Sequence, residues 1–140
     1  MPITTVLVAV HVLSNVVWIG SILSVALLVG RARLMADGAE VGALARRVYT
    51  RLAVPAFAGS FAFGLGRFVL GIGVYAHMPW MHAKLTLAVG VIALHHVIGA
   101  RAKRVAGGNA SAGSGMTALM LATLVCTAGA VWLAVAKQLP

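Results

Sequence analysis

The chain predicts an all-α integral membrane protein, a four-helix bundle with both termini on the outer, periplasm-like side. Three observations carry this. The 140 residues are 61% hydrophobic. Only 9% are charged, against about 25% in a soluble domain, so no soluble surface can be built from this composition. The apolar residues come in four long unbroken runs rather than the ~10-residue alternating segments of barrel strands.

The first run, Ile3 to Gly30, exceeds the ~20 residues needed to cross a ~30 Å hydrocarbon core. It has no basic leader and is too long for a signal segment, so it reads as a span. Further spans run from about Tyr49 to Gly73, Met81 to Ala100 and Met116 to Ala136, in a single domain over residues 1–140. The connection Arg31 to Ala45 is polar and holds Asp37 and Glu40. Val74 to Trp80 is short, with Pro79 and Trp80 at an interface. Arg101 to Gly115 begins basic and becomes GGNASAGSG, a flexible linker by composition.

Arg31, Arg33, Arg46, Arg47 and Arg51 flank the first connection; Arg101, Lys103 and Arg104 open the third; the second has no lysine or arginine. The positive-inside rule then places the first and third connections in the cytoplasm and the termini outside, in a multi-pass protein of the cytoplasmic membrane. The same rule accounts for the net charge of +9 without nucleic acid. No internal repeat is visible. The lone Cys126 lies inside the last run and reads as a small buried hydrophobe.

Polar groups inside spans are costly and mark function. On span one, His11, Asn15, Trp18 and Ile22 recur at spacings of four, three and four, which is one helix face. On span two, Arg67 lies about 9 Å from the outer end at 1.5 Å per residue. No span holds a carboxylate to pair with it, so it either snorkels to the interface or meets a ligand's charge. Pro55 predicts a kink, and Gly59, Gly64 and Gly66 permit close approach of a helix or a flat ligand. On span three, His82 and His96 fall within about 40° of each other, with Lys84 and His95 on a roughly opposite face. Two polar faces predict that span three is the most enclosed. Of the His95–His96 pair, one is expected as a ligand and the other as hydrogen-bonded only. On span four, Thr123 and Thr127 are expected to bond back to their own helix.

His11, Arg67, His82 and Lys84 thus put imidazoles and cations, but no carboxylate, in the outer halves of three spans. Such a pocket suits a large apolar ligand with acidic edges. A porphyrin fits: glycine and tryptophan wall the macrocycle, Arg67 and Lys84 meet its propionates, and neutral imidazole ligates haem iron. The motif HMPWMH (residues 77 to 82) offers a second chemistry. Met78, Met81, His77 and His82 are ligands that suit copper.

The order His11-x6-Trp18-x-Gly20, Arg46-Arg47-x-Tyr49, Pro55, then Trp80-x-His82-x-Lys84-Leu85 resembles the HemJ family of membrane protoporphyrinogen oxidases. The wider group that includes the copper-resistance CopD domain is similar too. The resemblance covers spans one to three and, more weakly, span four. After Gly20 the family has an aromatic-rich stretch ending in Leu-Pro-Arg, where this chain reads SILSVALLVGRAR. Before span four the family has an acidic residue beside a proline, where this chain has its glycine-rich linker.

The resemblance implies b-type haem held by histidine and the six-electron oxidation of protoporphyrinogen to protoporphyrin. His11, Arg47, Trp80, His82, Lys84 and one of His95 or His96 match motif positions. The site expected is therefore His11, Trp18, Arg67, Trp80, His82, Lys84, His95 and His96. His11, His82 and His96 are the metal-ligand candidates, and His82 and Lys84 the catalytic ones. Electrons would pass to a membrane acceptor such as a quinone. A haem electron-transfer protein without substrate chemistry and a CopD-like copper protein are the alternatives. A small bundle that must cover a porphyrin favours a homodimer.

Overall fold

In lipid every backbone polar group must be satisfied within its own segment, so the apolar runs have helix as their only open-chain solution. The structure, a computed structural model, describes residues 2–136, and among them it contains helices and turns and no strand. Lys137, expected at the terminal interface, lies outside the described residues. Helix α1 (Ile3–Ala32) is span one. Span two is continuous from α2 (Gly38–Val48) through a π-helical turn (Tyr49–Ala53) into α3 (Val54–Leu70). A single turn, α4 (Ile72–Tyr75), precedes α5 (Pro79–Ala106), which is span three. A 3-10 turn (Ala110–Gly113) leads to α6 (Met116–Ala136). Four helical stretches, Ile3–Ala32, Gly38–Leu70, Pro79–Ala106 and Ala110–Ala136, are long and apolar enough to cross a membrane.

Much of the expected polar connection 31–45 is helix. The segment GAEVGALARRV is rich in strong helix formers, Glu40 lies in the first turn, and Arg46 and Arg47 lie in the last, which suits the helix dipole at both ends. The expected kink at Pro55 takes the form of the π turn. Proline has no N–H to donate to the carbonyl four residues back, and just before it the Val54 N–H bonds Tyr49 O, five residues back.

The main core lies at the arginine-rich end, where α1 ends, α2 begins and α5 ends. Ile22, Val25, Ala26, Val29 and Ala32 of α1 pack with Ala45, Ile98, Ala102, Val105 and Met116. A smaller cluster of Trp18, Ala53 and Val91 sits nearer mid-bundle, with Cys126 half-buried against it. In lipid this packing is held by dispersion between small and branched side chains rather than by release of water. The outward surface is apolar: Leu13, Val16, Val125 and Trp132 are each at least 64% exposed. A soluble monomer does not present so continuous an apolar surface.

Two expectations change. Span one, not span three, is the most enclosed: 28% of its most apolar stretch is buried, against 22% for span three. The reason is position, since α1 packs against α2, α3, α5 and α6 while one polar face of α5 remains outside. The linker GGNASAGSG is ordered. The Asn109 N–H donates to Arg104 O at 3.0 Å, and an Arg101 guanidinium N–H donates to Ser114 O. A basic side chain from α5 fixes what composition alone reads as slack.

Candidate functional site

The stripe on α1 faces the bundle as its spacing requires, and it makes two separate histidine sites. In the first, His11 meets α3. A Cβ on Gly64 would lie 2.7 Å from His11 Cε1, so only glycine admits the ring. His11 Nδ1 is 2.8 Å from Ser60 O, and because a carbonyl only accepts, Nδ1 carries the proton. The Asn15 amide nitrogen donates to His11 Nε2 and to His11 O, each at 3.0 Å. Nε2 is therefore an acceptor with a lone pair. Lys84, from the start of α5, is within electrostatic reach of His11.

The second site is His95, which is 1% exposed. The indole Nε1–H of Trp18 donates to His95 Nδ1 at 3.1 Å. Indole has no acceptor nitrogen, so the proton of this imidazole is on Nε2. That N–H is buried and has no partner among the described residues. Aromatic rings enclose it. Tyr49 stacks at 4.8 Å between centroids and Phe57 lies at 5.1 Å, while Trp18 approaches edge-on at 77°. Gly99 makes room for Tyr49, because a Cβ there would run into the phenol ring.

His96, one residue on, is exposed and touches only the edges of Phe57 and His95 among aromatic rings. The 100° step between neighbours puts one imidazole inside and the other outside. His82 is exposed too, and its Nε2–H donates to Ala76 O at 2.9 Å, which leaves Nδ1 unprotonated. Arg67 has a partner that the sequence reading missed: its guanidinium carbon lies 5.0 Å from the centroid of the Tyr75 ring, a cation–π contact. Tyr75 in turn meets the Trp80 ring edge-on, and the Trp80 indole N–H donates to Met78 Sδ at 3.1 Å. Met81 is buried and His77 exposed, so the six residues of HMPWMH turn in different directions.

Among the described residues no three His, Cys, Asp or Glu side chains come together as a metal site, so His11, His82 and His96 are not one cluster. A haem would need only one or two of these histidines and no such cluster. Tyr49, Phe57 and Ser60 belong to these sites and were not among the expected residues. Tyr49 stood in the Arg46-Arg47-x-Tyr49 motif, but without a role at the site. Thr123 bonds back to Leu119 O at 2.8 Å as expected, whereas the buried Thr127 hydroxyl has no partner among the described residues. No family model matches the chain, and no curated protein or solved structure is significantly similar to it.

Proposed function

We propose that this chain is a haem-binding oxidoreductase of the cytoplasmic membrane, with both termini outside. In this reading it oxidises protoporphyrinogen to protoporphyrin, as the HemJ resemblance implies, and passes electrons to a membrane acceptor such as a quinone. One observation carries the reading: His11 is held in the state that an iron ligand needs. A ligating histidine donates its remote N–H to a carbonyl and directs the other nitrogen's lone pair at the metal. His11 does the first through Ser60 and has the second on Nε2, masked only by Asn15.

The fit of the other residues follows from the same chemistry. His11 would hold the iron, with Lys84 near it as the cation for a propionate. Arg67 is the weaker anchor, because its guanidinium already lies on Tyr75. His95 does not fit an iron ligand while Trp18 donates to its Nδ1, since Nε2 then carries the proton. A b-type haem, when bound, supplies one-electron transfer through its iron.

The chain's own residues supply the rest. His82 accepts a substrate proton at Nδ1, the nitrogen its bond to Ala76 leaves unprotonated. The His95 Nε2–H would donate to a quinone carbonyl once an enclosing ring, Tyr49 or Phe57, moves aside to admit it. An unpartnered N–H in a bilayer costs several kcal/mol by order of magnitude, so such a bond is strongly favoured.

The test is the visible spectrum of purified protein, with rescue of a strain lacking protoporphyrinogen oxidase. A Soret band that His11→Ala abolishes and His95→Ala preserves supports the reading. A well-expressed wild type without a Soret band contradicts it, and failure to rescue growth despite bound haem removes the substrate assignment alone.

A further inference from the structure

The arginine-rich end carries a further site, apart from His11 and His95. A cleft of about 350 Å³ opens between the end of α1 and the start of α6. Arg31 and Arg33 line it together with the apolar Leu27, Leu34, Met116 and Met120. Among the described residues no carboxylate lines it. Leu27 is 54% exposed and Leu34 is 70% exposed, so the apolar part is open to the outside of the bundle. The linker beside the cleft packs closely on α1. It is pinned by Arg101 on Ser114, and a Cβ on Gly113 would lie 2.6 Å from Val29 O.

Cations beside apolar walls that face lipid match a molecule with an anionic head and hydrocarbon tails. A soluble anion would use the arginines and leave the leucines and methionines uncovered; a neutral lipid would do the reverse. We propose that this cleft binds one anionic phospholipid, its phosphate on Arg31 and Arg33 and an acyl chain along Leu27 and Met120. The lipid adds a contact between the end of α1 and the start of α6, which already meet through Met116 in the core and at Gly30. The site does not depend on the haem reading.

The test is native mass spectrometry of the full chain released from detergent with equal amounts of phosphatidylglycerol and phosphatidylcholine of identical acyl chains. The expected result is one retained phosphatidylglycerol per chain. Arg31→Gln with Arg33→Gln should weaken that retention roughly 10- to 30-fold, the effect of losing two interfacial arginine contacts. Lys103→Gln with Arg104→Gln removes the same charge from the same end outside the cleft and should leave retention unchanged. Equal retention of the two lipids by the wild type overturns the proposal without any variant. So does an equal effect of the two double substitutions, or displacement of the lipid by soluble glycerol phosphate.

Discussion

His11 and His95 both lie in apolar helices, and both have a nitrogen engaged by a neighbour, yet their protons are on opposite nitrogens. Ser60 O fixes the proton of His11 on Nδ1, and the Trp18 indole N–H forces that of His95 onto Nε2. One imidazole therefore presents a lone pair and the other an N–H. Only the first can ligate a metal, once Asn15 turns away from Nε2; only the second has an N–H left over for a ligand's oxygen. The lesson is that the partner of the remote nitrogen, and not the presence of histidine, decides which chemistry a buried imidazole can do.

The difference can be broken from either side. The largest effect is expected from Trp18→Ala, which removes both the donor to His95 and the ring that packs on Phe57. It should cost about 3–5 kcal/mol in reversible unfolding in detergent, the usual range for a buried tryptophan. Trp18→Phe, which keeps most of the ring, should cost far less and leave His95 free to change tautomer.

Next come the two glycines that admit the rings. Gly99→Ala drives a methyl into Tyr49, and Gly64→Ala drives one into His11. Each should cost about 1–3 kcal/mol by overpacking. Their functional signatures should separate: Gly64→Ala should lower haem content, while Gly99→Ala should leave haem bound and impair reoxidation by an added quinone. A Gly99→Ala, Tyr49→Ala pair should recover much of the stability lost by Gly99→Ala alone.

The smallest effect is expected from Asn15→Ala. It removes a donor one turn along the same helix from His11 Nε2 and should cost no more than about 0.6 kcal/mol, the mean for hydrogen bonds between helices in membrane bundles. Because Asn15 masks the lone pair, haem affinity should stay the same or rise, as titration of haem into the haem-depleted protein would show. A fall in affinity would mean that Asn15 helps to build the ligand site.

The bundle and the α1 stripe were legible in sequence, because long apolar runs and a spacing of four, three and four have one reading each in lipid. His11, Asn15 and Trp18 face inward as that spacing requires. What was not legible depended on contacts between segments far apart in the chain. His95 and His96 differ by one residue, and only the packing of Tyr49 and Phe57 on α5 chooses which goes inside. Arg67 looked unpaired because a search for carboxylates does not find the Tyr75 ring. The polar stretch before span two looked like a loop because its charges drew the eye from its helix formers, and the glycine-rich linker looked slack because Arg101 holds it from another helix.

The opposite tautomers can be seen directly. Long-range ¹H–¹⁵N correlation spectra of histidine-labelled protein in detergent, assigned with His11→Ala and His95→Ala, distinguish the protonated nitrogen of each ring. The structure predicts a proton on Nδ1 of His11 and on Nε2 of His95 in the haem-depleted protein. A proton on Nδ1 of His95, or the same tautomer at both rings, would contradict the assignment of iron to one histidine and oxygen donation to the other.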